Sequence, residues 1–65
     1  MHAGKAIKTL QDRYNYTGTE LADMLEIAPQ QLSRWRQSDD IKLSVIFNIC
    51  DVLGIEVSEF IDAAK

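Results

Sequence analysis

A chain of 65 residues with 46% hydrophobic and 26% charged side chains, three glycines and one proline has the make-up of one small folded domain rather than a disordered tail. At that length the expected radius of gyration is near ~11 Å, and the expected layout is a single domain over residues 1–65 without an enzyme-sized cleft. One cysteine, Cys50, rules out an internal disulfide framework, and the lone His2 far from it in sequence cannot complete a tetrahedral zinc site, so no metal or cofactor is expected. The net charge of −3 is unevenly spread: residues 1–42 balance, and residues 43–65 hold Lys65 against Asp51, Glu56, Glu59 and Asp62. A face for an anionic partner therefore belongs in the first two thirds of the chain. Short apolar runs and the absence of a signal-peptide core predict a cytoplasmic protein that does not enter the membrane.

Helical periodicity runs through most of the sequence. Ala3, Ala6, Ile7, Leu10 and Tyr14 fall on one side of a first helix, and Asn15 suits the left-handed residue that closes it. Thr17-Gly18-Thr19-Glu20 reads as a capping box, so a second helix starts near Gly18 and turns Leu21, Ala22 and Leu25 inward. Pro29 suits the first turn of a third helix, about 29–37, anchored by Leu32 and Trp35. Helices of this length do not persist alone in water, so these two must dock on other elements, with Ile27 plugging the turn between them. After Gln37-Ser38-Asp39-Asp40 a longer helix runs from about Lys42 to Leu53 and stops at Gly54, with Leu43, Ile46, Cys50 and Leu53 as its inner stripe. A last helix from about Val57 to Ala63 offers Phe60 and Ile61 to the core. Strand-like alternation is absent, and the fold class is all-α, a compact five-helix bundle.

Residues 18–37 resemble the helix-turn-helix of the Cro/cI-type (XRE-like) DNA-binding family. Leu21, Leu25, Ile27, Leu32 and Trp35 stand at its apolar positions, and Ala22 at the small position where two helices cross. The segment Leu32 to Trp35 is similar to the family's recognition-helix core, and Leu53 to Ile61 to its closing turn and last helix. The match spans roughly residues 10 to 61 and implies a lambda-repressor-like fold. Five departures stand out. Glu26 occupies a position usually held by Gly, Ala28 lacks the usual capping hydroxyl, Gly18 replaces a Gln that often bonds phosphate, Gln11 with Arg36 replace an Arg–Glu pair, and Asp39-Asp40 stand in a loop that is often basic.

In that frame Gln30, Gln31, Ser33, Arg34 and Gln37 are the candidate base contacts, because Gln can bond adenine and Arg guanine bidentately. Thr17, Thr19, Arg36, Lys42 and Lys8 are the candidate phosphate contacts. Arg36 has a second option, a surface pair with Asp12 or Asp40. Asp39-Asp40 tops a turn or caps the fourth helix, or else repels misplaced DNA or meets a basic protein. Trp35 and Tyr16 read as core residues rather than a stacking platform, and Cys50 as core rather than a nucleophile. Val45, Ile49, Val52 and Val57 form a second apolar stripe, the candidate homodimer interface.

The resemblance implies a sequence-specific duplex-DNA-binding transcriptional regulator. It would be a repressor of the Cro-like, phage or mobile-element kind in a bacterial cell, dimeric at least on its operator and without a small-molecule ligand. The alternative is an antirepressor-like interaction module that keeps the fold with weak or no DNA binding, favoured by the acidic balance and by Asp39-Asp40. Catalysis is not expected: no triad, metal cluster or phosphate loop is present in the sequence.

Overall fold

The computed structural model describes residues 2–65, and several of its helix ends coincide with local signals in the sequence. Helix α1 spans Ala3–Arg13, α2 Gly18–Met24, α3 Pro29–Gln37, α4 Leu43–Leu53 and α5 Val57–Ala63. The Thr17 hydroxyl accepts from the Glu20 amide at 3.0 Å while the Glu20 carboxylate accepts from the Thr17 amide at 2.9 Å, completing the capping box. Gly54 closes α4 at φ 68°, and Asn15 follows α1 at φ 61°. Glu26 also adopts a left-handed φ of 59°, so the turn between α2 and α3 keeps the shape usually made by glycine, at some strain. Ala28 precedes Pro29 with no side-chain cap.

The core is one cluster fed by all five helices. Ile7 and Leu10 of α1, Leu21 of α2, Leu32 of α3, Ile49 of α4 and Phe60 of α5 are its largest fully buried side chains. Ala22 is buried as the small crossing residue should be, and Tyr16, Ile27 and Trp35 pack against the cluster half-buried. The Cα radius of gyration is 10.2 Å. Helix α1 is central, packing on both α3 and α5. The described residues form no strand.

On α4 and α5 three side chains depart from the expected faces. On α4 the inward face is turned toward Ile49, which is fully buried beside Ile46 and Cys50, so Ile49 is removed from the candidate dimer interface. Leu43, expected inside, is 60% exposed. Cys50, two turns on along the same line of α4, is instead covered by the turn into α5, with its Sγ 4.0 Å from the Glu56 carbonyl oxygen. On α5 consecutive residues sit about 100° apart around the axis. Phe60, Ala63 and Ala64 take the inward side and leave Ile61 exposed.

The contacts at the two ends of α1 carry no signal in the helical periodicity. His2 caps the helix by accepting from the Lys5 amide through Nδ1 at 3.0 Å, and its Nε2 lies 2.8 Å from Asp39 Oδ1. At the other end, Arg13 Nη1 donates to Glu59 Oε2 at 2.9 Å, and the Tyr14 hydroxyl donates to the same oxygen. Tyr14 therefore leaves the apolar face to pin α1 against α5.

Candidate nucleic-acid interface

The polar side of α3 is set by what the other side buries. Leu32 faces the core and is 1% exposed, and Trp35 lies half-buried beside it. A helix turning 100° per residue then carries Gln30, Arg34 and Gln37 to the opposite, solvent-facing side, and all three are exposed. Ser33 and Gln31 fall on the two flanks and are half-buried, so the outward ridge expected to include Ser33 narrows to three side chains. Gln31 is turned toward the start of α4. It lines an open groove of about 430 Å³ with Trp35, Asp40, Ile41, Lys42 and Val45.

Cationic groups stand on both flanks of that ridge. Lys42, at the cap position of α4, is exposed at the groove on the Gln31 side. On the Ser33 side, Arg36 reaches back to the start of α2, where a Cβ on Gly18 would lie 3.0 Å from its Nη1. Thr17 and Thr19 are exposed on either side of Gly18, although the Thr17 hydroxyl is already engaged in the capping box. Lys8, exposed on α1, is paired with Asp12 at 3.1 Å.

Arg36 takes neither of the surface partners expected for it. Its Nη1 donates to Gln11 Oε1 of α1 at 2.8 Å, and Gln11 is the one buried polar residue among the described residues, 6% exposed. The two positions that replace the Arg–Glu pair are therefore still in contact with each other, with the cation moved from α1 to α3. Periodicity assigns Gln11 to the polar side of its helix, so only the packing of α1 on α3 reveals the pair.

The acidic pair after α3 does not cap α4, which begins at Lys42 with no side-chain cap. Asp39 is held by His2, while the Ser38 hydroxyl donates to the Asp40 carbonyl and accepts from the Asp40 amide, forming a tight turn. Asp40 remains exposed beside Lys42 in the groove. Burial pushes the Cys50 thiol above its usual range, with the Glu59 charge adding to the shift, as suits an inert core residue. Among the described residues no group of three or more His, Cys, Asp or Glu is placed to hold a metal ion, and no helix is long and apolar enough to cross a membrane.

This arrangement is a narrow polar ridge on a short, rigidly backed helix, with a positive side chain on each side. Such a ridge has the form that enters the major groove, with base contacts along it and phosphate contacts at its edges. A family model described as the Cro/C1-type HTH DNA-binding domain matches residues 7–65. No curated protein and no solved structure matches the chain.

Proposed function

Because the chain belongs to the Cro/C1-type HTH DNA-binding domain family, we propose that it is a sequence-specific transcriptional regulator of duplex DNA. In this reading it is a Cro-like repressor, encoded by a phage or other mobile element, that occupies an operator in the bacterial cytoplasm and blocks polymerase. The observation that carries the proposal is the exposed ridge of Gln30, Arg34 and Gln37, backed by buried Leu32 and flanked by Arg36 and Lys42. Arg34 and Gln30 read bases, with Gln37, Gln31 and Ser33 alongside, and Arg36, Lys42, Thr17, Thr19 and Lys8 meet phosphates. Two copies bind together through Val45, Val52 and Val57, which pack half-buried at the rim of the core.

Asp40, exposed in the groove next to Gln31 and Lys42, favours a second reading in which this face meets a basic protein rather than DNA. The deciding experiment is selection of duplexes from a random pool by the purified protein, followed by titration of the selected duplex and its scrambled counterpart across a salt series. Preference for the selected duplex, with affinity falling as salt rises, is the expected result. Failure to enrich any duplex would replace the regulator with the interaction module.

A further inference from the structure

Arg36 is held in a way that a surface arginine has no need of. Gln11 is a buried amide on α1, and a buried polar group is costly unless it is hydrogen-bonded. Its Oε1 spends that capacity on one Nη1 donor of Arg36 at 2.8 Å. Among the described residues Arg36 has no carboxylate within ion-pair distance. A neutral acceptor fixes the guanidinium and leaves its charge intact, whereas a carboxylate in the same place would fix it and neutralise it. A guanidinium has five N–H donors in a planar fork, so one bond to Gln11 leaves four for another oxygen-rich partner.

Gly18 is the third part of the arrangement. Its missing side chain opens the space beside α2 in which the guanidinium lies, with Nη1 3.0 Å and both Cζ and Nη2 3.7 Å from where a Cβ would be. Gly18 is the first residue of α2, a helix whose capping box works from Thr17, so glycine is not required there by the cap. The arginine sits on the flank of the α3 ridge opposite Lys42. A ridge in the major groove has phosphates on both sides of it.

We infer that Gln11 is a positioning residue for DNA binding: with Gly18 clearing the space, it aims Arg36 without pairing off its charge, so that Arg36 anchors a backbone phosphate on one wall of the groove. The inference rests on the duplex-DNA reading above. Because the fork is already fixed in the free protein, little side-chain freedom is lost on contact.

The test compares wild type, Arg36→Ala, Gln11→Glu and Arg34→Ala on the selected and scrambled duplexes across a salt series, alongside denaturant unfolding of each. Arg36→Ala should weaken both duplexes by the same factor and lower the salt slope by about one unit, so that over a fourfold rise in salt it loses about 3.5-fold less affinity than wild type. Gln11→Glu should unfold no earlier than wild type, since it converts the bond to an ion pair, and yet reproduce the DNA phenotype of Arg36→Ala. A purely structural role for the pair predicts an unchanged salt slope in both variants, whatever the change in stability. An unchanged slope in Arg36→Ala would overturn the anchor, and wild-type binding in Gln11→Glu would overturn the positioning role. Arg34→Ala separates this inference from the reading beneath it. If that variant loses preference for the selected duplex while both Arg36→Ala and Gln11→Glu bind as wild type, the regulator stands and the anchor falls. A wild type that binds neither duplex removes both.

Discussion

Gly4 of α1 lies against the last turn of α3 so closely that a Cβ there would run into the carbonyl of Arg36 and come within 2.7 Å of the Ser38 carbonyl oxygen. The same approach lets the Gly4 amide donate to Ser38 O at 2.9 Å and the Ala3 amide to Asp39 O at 3.2 Å, satisfying the two carbonyls that follow α3 from the first turn of α1. This backbone contact fixes the helix that carries the candidate recognition ridge.

Gly4→Ala should therefore destabilise the fold. Helix propensity alone favours alanine by about 0.8–1 kcal/mol. The obstruction is backbone rather than a flexible side-chain end, so it outweighs that gain, and a net loss of roughly 1–3 kcal/mol is expected. Chemical denaturation of the variant checks it, and a midpoint at or above that of wild type would mean that the two helices can separate at no cost.

Arg34→Ala should lose roughly 1–3 kcal/mol on the selected duplex and relax preference at one base pair. Lys42→Ala, on the flank, should weaken all duplexes alike and lower the salt slope by about one unit. Affinities of both variants on selected, single-base-substituted and scrambled duplexes give the answer. A base-specific loss in Lys42→Ala, or a uniform one in Arg34→Ala, would reverse the assigned roles.

Val57→Glu should weaken self-association on DNA, with half-sites about 34 Å or 10 base pairs apart in the selected duplex. Val57 packs half-buried against the core at the start of α5, where a carboxylate can still turn outward. Sedimentation velocity of the protein–duplex complex reads the stoichiometry. Identical behaviour of variant and wild type would move the interface away from this helix.

Acidification should destabilise the protein through two glutamates held below their ordinary range. The Thr17 amide, then the Thr17 hydroxyl, lowers the Glu20 pKa, while the Tyr14 hydroxyl, then Arg13, lowers that of Glu59. A depressed carboxyl pKa stabilises the fold above its unfolded value of about 4.3, and that stabilisation is lost as pH falls through the folded value. Thermal midpoints should hold from neutral pH down to about 5 and then drop. Glu59→Gln should be less stable than wild type at neutral pH, with the gap closing below pH ~4. A gap that persists in acid would assign the loss to packing rather than to ionisation.

Most helix ends were determined by the sequence alone, because they rest on chemistry within a few residues, although α4 and α5 start without a side-chain cap. Thr17 and Glu20 cap each other, Pro29 suits a first helical turn, and Gly54 and Asn15 take the left-handed backbone that ends a helix. The apolar anchors Leu10, Leu21, Leu32 and Phe60 were legible for the same reason, as was the outward side of α3 at Gln30, Arg34 and Gln37. What tertiary structure decided is which flank of each helix a neighbour covers. Leu43 and Cys50 share a line on α4, but only Cys50 lies under the turn into α5; Ile49, legible as apolar, became core because α4 is rotated toward it. The Gln11–Arg36 bond joins residues 25 apart, and the approach of Gly4 to Arg36 and Ser38 spans a similar stretch of chain. Periodicity assigns a residue to a side of its own helix, whereas such contacts depend on the distance and angle between two helices, which the packing of the whole core fixes.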